Sequence, residues 1–188
     1  MLDRRAFVAA LLVDRENLLV ICGLGSATYD VAAAGDHPLN FYLWGAMGGT
    51  AMVGLGLALA RPDRRVAIIT GDGDMLMGLG SLATIGVKQP TNLSIIVLNN
   101  AHYGETGMQP SHTLSGIDLT AVAHACRFQH ASVVSRIEEA AGVRALLHAG
   151  DGPLLFDARI KAEDMPRVLP LRHGHLIKQR FVAALNAT

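Results

Sequence analysis

Val66-Ala-Ile-Ile-Thr-Gly-Asp-Gly-Asp74 decides the fold. Its first five residues are β-branched or small and carry no charge, as a strand buried on both sheet faces requires. Gly71-Asp-Gly73 then turns the chain into a segment, 75–87, with helical periodicity. Leu93-Ser-Ile-Ile-Val-Leu98 repeats the buried-strand pattern on the far side of that helix, which makes a βα unit of a parallel sheet. Working outward, strands are expected near 17–22, 41–44, 65–70, 93–98, 131–134 and 153–157. Helices are expected near 26–34, 48–60, 75–87, 119–126, 137–148 and 175–185. The fold class is α/β, a single doubly wound parallel sheet of about six strands with helices on both faces. One domain covers 1–188, and 167–188 forms a basic C-terminal helical tail in which Arg172, His173, His175, Lys178 and Arg180 cluster as a solvated face or a subunit contact.

The chain has 188 residues, 51% hydrophobic and 17% charged, with 16 basic and 16 acidic side chains, enough for one domain with a full core. A net charge of zero removes the electrostatic footprint that nucleic acid or an anionic membrane would need. No apolar run approaches a membrane span. Cys22 and Cys126 sit in apolar segments with no disulfide or metal-ligand spacing, which points to a reducing cytoplasm. Arg4-Arg5 before an apolar stretch superficially resembles an export signal, but 6–13 is short and is closed by Asp14-Arg-Glu16, so it reads as a short amphipathic helix. The charged fraction lies below the roughly 25% usual for soluble domains. Either the core is unusually large, or another chain hides part of the surface.

Glycines follow the strands: Gly23 and Gly25, Gly45 and Gly48-Gly49, Gly71 and Gly73, Gly104 and Gly107. These turns fall at the carboxyl edge of the sheet, where open α/β folds bind ligands. At Gly71-Asp-Gly73, backbone N–H groups and a new helix N-terminus favour an anion, yet Asp72 would repel a bare phosphate. A divalent cation resolves the conflict, with Asp72 holding Mg²⁺ and Mg²⁺ holding a diphosphate. The next strand ends in Asn99-Asn100, whose amide oxygens, with nearby loop carbonyls, suit the remaining positions.

Gly71-Asp-Gly73, then 25 residues, then Asn99-Asn100 resembles the fingerprint of thiamine-diphosphate-dependent enzymes. The resemblance runs from about 17 to 128. Phe41-Tyr-Leu-Trp-Gly-Ala-Met-Gly48, Gly54-Leu-Gly-Leu-Ala-Leu-Ala60 and Asn99-Asn-Ala-His-Tyr-Gly-Glu-Thr-Gly-Met-Gln109 are similar to the diphosphate-binding domain of sulfopyruvate and phosphonopyruvate decarboxylases, where that domain can be a separate β subunit.

The resemblance implies the following roles. Asp72 and Asn100 are side-chain Mg²⁺ ligands and the His102 backbone carbonyl is the third. Gly73, Asp74 and Glu105 meet the diphosphate through backbone N–H groups, and Ser26 is another diphosphate contact. Met47 wedges between the two cofactor rings, and the Gly45 carbonyl accepts a hydrogen bond from the 4′-amino group. Ala46, Gly48, Gly71, Tyr103 and Gly104 complete the cofactor-binding set. His102, Glu105, Thr106 and Gln109 are the candidate catalytic residues, with His112 nearby. His102 stands where the family has a small residue and Glu105 where it has a serine-like one.

In that family a glutamate on a separate pyrimidine-binding domain activates the cofactor, whose thiazolium is the electron sink for decarboxylating a 2-oxo acid. No such domain fits in this chain beside the first. The resemblance therefore implies a β-type subunit of a hetero-oligomeric 2-oxo acid decarboxylase, partnered by a pyrimidine-domain (α-type) subunit and by further copies of itself. An acetolactate-synthase-like carboligase or oxidoreductase fragment, a non-catalytic cofactor-binding module, and a nucleotide-binding fold built on Gly23-Leu-Gly25 remain as alternatives. The last lacks the third glycine of the dinucleotide fingerprint.

Overall fold

In a computed structural model that describes residues 1–187, all six expected strands join one parallel sheet. Thr188, the last residue of the expected tail, lies outside the described residues. The sheet strands are β1 (Leu19–Cys22), β2 (Asn40–Tyr42), β3 (Val66–Gly71), β4 (Leu93–Asn99), β7 (His130–Val134) and β8 (Leu154–Arg159), while β5 (His102–Tyr103) and β6 (Gln109–Pro110) make a small separate hairpin. Their order is β2-β1-β3-β4-β8-β7. The chain winds one way from β1 to β2 and then returns to β3, so its direction reverses between β1 and β3. Loops leaving the carboxyl ends of those two strands diverge to opposite faces and leave a crevice between them. Gly23-Leu-Gly25 and Gly71-Asp-Gly73 are the two sides of it.

The helices are α1 (Arg4–Leu12), α2 (Ser26–Ala33), α3 (Thr50–Ala60), α4 (Asp72–Met77), α5 (Gly80–Lys88), α6 (Leu119–Ala125), α7 (Ala140–Ala149) and α8 (Gly174–Ala187). Side chains alternate across a strand, and this sorts the core into two layers. Val20, Ala67, Ile69, Ile96 and Phe156 pack with Phe7 and Leu11 of α1, Val31 of α2 and Val143 of α7. Ile21, Ile68, Ile95 and Val97 pack with Leu55 of α3, Leu82 and Ile85 of α5 and Ala123 of α6. Each fully buried Ile or Leu contributes roughly 1.5–3 kcal/mol. α8 covers the β2 edge, sending Ile177 into the first layer and Phe181 into the second, where its ring meets Phe41 edge-on at 5.5 Å. No helix among the described residues is long and apolar enough to cross a membrane.

Three expectations change. The helix expected at 75–87 is two helices, and it begins earlier, at Asp72. It breaks near Gly78, where an added Cβ would lie 2.2 Å from the Gly48 carbonyl oxygen: the 45–48 loop presses against the backbone there. The segment after β4 is not plain loop but the β5–β6 hairpin around a 3-10 turn, Gly104–Thr106. Two-residue strands are too short to show a period. The tail is helical only from Gly174, because Pro166 and Pro170 each lack the N–H a helix would use.

Nor is that tail simply a solvated face. Its irregular part folds back over the sheet edge, where Trp44 Nε1 donates to the Leu171 carbonyl at 2.9 Å and the Arg172 guanidinium lies 5.6 Å from the Trp44 ring centroid. Arg167 stacks 5.7 Å from the centre of the Tyr29 ring and stands 3.6 Å from the Glu105 carboxylate, and Arg180 binds Asp36 at 2.5 Å.

Candidate functional site

Asp72, at the first position of α4, is only 2% exposed. Ser111 Oγ donates to its Oδ2 at 2.5 Å, and Thr113 Oγ1, 2.8 Å from Ser111 Oγ, stands 3.3 Å from the same oxygen. The Thr113 hydroxyl also reaches Asn99 Oδ1 at 2.9 Å, and Asn99 Nδ2 donates to the buried Asp157 at 2.9 Å. Burial is the largest influence on Asp72 and pushes its carboxyl above the ordinary range, with Ser111, Thr113 and backbone N–H groups drawing it partly back. No salt bridge reaches it among the described residues. A desolvated carboxylate held by neutral donors lacks a counter-charge, and an added cation would supply one. The two asparagines of the motif part company here. Asn99 is buried and bonds Asp157, while Asn100 faces the cavity beside Asp72.

That cavity, of about 150 Å³, lies in the crevice between β1 and β3. It brings together Ser26, Met47, Gly71, Asp72, Gly73, Asp74 and Asn100 with His102, Tyr103, Gly104, Glu105 and Thr106. Local chemistry places each. Asn100 Oδ1 accepts from the His102 N–H at 2.9 Å and the Asn100 carbonyl lies 2.8 Å from His102 Nδ1, which turns the chain back toward α4 at the end of β4. The Tyr103 ring covers Gly73 so closely that a Cβ there would lie 2.8 Å from a ring carbon. The Tyr103 hydroxyl and His112 Nδ1 are 3.0 Å apart. Glu105 lies over Gly25, whose φ of +68° favours glycine.

Four expected residues do not line the cavity: Gly45, Ala46, Gly48 and Gln109. The first three belong to the loop that presents Met47. Asp74 fixes this loop, accepting from the Gly48 N–H at 2.5 Å with one oxygen and from the Thr70 hydroxyl with the other. Gln109 is engaged with Thr106, donating to its carbonyl at 2.8 Å and accepting from its hydroxyl at 2.9 Å, so it closes the 3-10 turn. A second hollow adjoins the first across Met47, Gly73 and Tyr103. Met47, Met77 and Ile117 line it and are 41%, 67% and 42% exposed, an apolar surface continuous with the site.

Ser111, Thr113, Thr70 and Arg4 are positioned at the site without having been foreseen. Ser111-x-Thr113 has no distinctive pattern, and Arg4 reaches the cavity from a helix remote in sequence. The available metal donors are the Asp72 carboxylate, the Asn100 amide and loop carbonyls. Among the described residues no group of three His, Cys, Asp or Glu side chains could hold a metal. One carboxylate with neutral oxygens suits a hard cation such as Mg²⁺, which keeps waters in its shell.

Residues 23–158 match the family described as "Thiamine pyrophosphate enzyme, C-terminal TPP binding domain". The chain is 37% identical over 184 residues to the sulfopyruvate decarboxylase subunit beta of Methanothermobacter thermautotrophicus, covering 97% of this chain and 95% of that one. It is 37% identical over 156 residues to the phosphonopyruvate decarboxylase of Streptomyces viridochromogenes, covering 80% of this chain but only 39% of that protein. Among solved structures, the thiamine diphosphate-dependent 4-hydroxybenzoylformate decarboxylase of Rhodococcus jostii superposes with a TM-score of 0.69 at 21% identity, over 85% of this chain and 33% of that one. The last likeness is one of fold.

Proposed function

The chain belongs to the thiamine pyrophosphate enzyme family as a C-terminal TPP binding domain, and from that premise we propose that it is the β-type subunit of a hetero-oligomeric, Mg²⁺-dependent 2-oxo acid decarboxylase. The observation that carries this reading is Asp72, a buried carboxylate without a cationic partner among the described residues, lining with Asn100 the cavity in the crevice between β1 and β3. Asp72, Asn100 and the His102 carbonyl would hold Mg²⁺. Backbone N–H groups of Gly73, Asp74 and Glu105, with Ser26, would hold the diphosphate, where helix N-termini add favourable dipoles. Met47 borders both hollows and is fixed through Gly48 and Asp74, which suits it to set the orientation of whatever lies between them. When bound, thiamine diphosphate supplies the electron sink for decarboxylation. His102, Glu105 and Thr106 border its approach, and Gln109 would act by holding the Thr106 turn.

Among the described residues no carboxylate lines the second hollow, so an activating glutamate would come from a partner whose pyrimidine domain covers Met47, Met77 and Ile117. The domain assignment over 1–188, contact with further copies of this chain, and a cytoplasmic location belong to the same reading, the last supported by two free cysteines. The relatives named for sulfopyruvate and phosphonopyruvate make these the first substrates to try. The test is turnover of sulfopyruvate, phosphonopyruvate, pyruvate and an aromatic 2-oxo acid with Mg²⁺ and thiamine diphosphate, for the chain alone and co-expressed with a pyrimidine-domain subunit. Aldehyde and CO₂ are expected only from the complex. Full activity of the lone chain, or acyloin as the main product, would overturn the assignment.

A further inference from the structure

The cavity lining includes a charged side chain from outside the matched family region. Arg4, on α1, is 3% exposed and lines the cavity together with Asp30 of α2. Its Nε is 3.2 Å from Asp30 Oδ2, yet neither atom makes a hydrogen bond of good geometry. Arg5 shares the same carboxylate, with its Nε 3.3 Å from Oδ1, but does not line the cavity. Two guanidinium groups therefore face Asp30, with the Asp3 carboxylate also within electrostatic reach, and Arg4 is the one that is both buried and in the cavity lining. A buried guanidinium whose Nε lacks a hydrogen bond is stabilised by an anion that joins it.

The neighbouring backbone points the same way. Asp30 lies one turn into α2, whose N-terminus at Ser26 lines the cavity and has no side-chain cap. Its first N–H groups are thus available to an anion. Among the described residues no ion pair joins Arg4 to Asp72 or Asp74. Asp72 is held by hydroxyl groups and Asp74 by Thr70 and Gly48, so Arg4 is not serving those carboxylates. A guanidinium and a cation-seeking carboxylate in the lining of one cavity fit a metal-bound ligand with two linked anionic groups.

We propose that Arg4, held by Asp30, binds the terminal phosphate of the diphosphate and so makes the site selective for diphosphate over monophosphate. This rests on the cofactor reading above. Arginine suits the role because its planar fork donates to two phosphate oxygens at once.

Calorimetry on the full chain with Mg²⁺ tests it, using thiamine diphosphate, thiamine monophosphate and inorganic pyrophosphate as ligands. Arg4→Gln should weaken thiamine diphosphate and pyrophosphate by ~10–100-fold, the value of a charge-assisted hydrogen bond, and change thiamine monophosphate by less than ~3-fold. Arg5→Gln, which removes the other partner of Asp30, should leave all three within ~3-fold. Arg4→Lys keeps a charge beside Asp30 and guards against misfolding of the glutamine variant; it should fold normally by circular dichroism and bind thiamine diphosphate ~5–10-fold more weakly. Equal losses in Arg4→Gln and Arg5→Gln, or wild-type affinity in Arg4→Lys and Arg4→Gln, would overturn the assignment and leave the cofactor reading intact. A wild-type chain that binds neither diphosphate would defeat both.

Discussion

Replacing Asp72 by Asn should raise the stability of the ligand-free chain while removing its response to cofactor. Burial has pushed the Asp72 carboxyl above its ordinary range, net of the bonds from Ser111 and Thr113. The folded state therefore holds that proton more tightly than the unfolded chain does. The resulting stabilisation is present below the unfolded value of about 3.9 and is lost as pH rises through the raised folded value, so the ionised wild type carries the penalty. An amide keeps one acceptor oxygen, and both hydroxyls are free to turn and accept from its NH₂. The expected gain is on the order of 1 kcal/mol, or roughly 2–4 °C in Tm for a domain of this size. Addition of Mg²⁺ and thiamine diphosphate at about 100 times Kd should stabilise the wild type by about 2.7 kcal/mol, roughly 5–10 °C, and leave Asp72→Asn unmoved. Differential scanning fluorimetry with and without ligand gives all four values. Acidification below about pH 4 should erase the difference between the ligand-free proteins. The reasoning fails if the ligand-free variant melts below the wild type at pH 7, or if its Tm still rises with cofactor.

Two further outcomes follow from particular contacts. Gly73→Ala places a methyl 2.8 Å from the Tyr103 ring, so urea unfolding should show a loss of ~1–3 kcal/mol, largely recovered in combination with Tyr103→Ala; an unchanged midpoint would mean the ring yields freely. Burial lifts the Asp30 carboxyl to about 6 despite Arg4 and Arg5, so carbon-13 NMR of the ligand-free chain should place its titration near there; the stability it confers below about pH 4 is lost as pH rises through about 6, and a midpoint near the ordinary 3.9 would show the two arginines outweighing burial.

The sheet was legible because its central strands are uniform apolar runs followed by glycine, a pattern that survives in one dimension. Val66–Gly71 and Leu93–Asn99 occur within a residue or two of where composition placed them. The motif residues were legible because they are contiguous and bracket the strand ends. What escaped notice depends on the third dimension. The break near Gly78 reflects pressure from the Gly48 backbone, thirty residues earlier, and no local propensity signals it. Ser111 and Thr113 matter only because the β5–β6 hairpin carries them to Asp72. Asn99 and Asn100 look equivalent in sequence, yet alternation along β4 sends the first into the core and leaves the second at the crevice. The low charged fraction was ambiguous between a large core and a covered surface; exposed Met47, Met77 and Ile117 locate apolar surface beside the cavity.

The returning C-terminal segment also sets a timetable on the ribosome. Trp44 waits for the Leu171 carbonyl, 127 residues later, and Glu105 waits for Arg167. At roughly 5–20 residues per second, that first interval lasts about 6–25 s. The glycine turns and Asp72 emerge well before the strap that braces their outer edge. A nascent chain therefore displays an unbraced crevice edge for seconds, and arrival of the segment from Arg167 to Arg172, rather than formation of the central strands, completes its support.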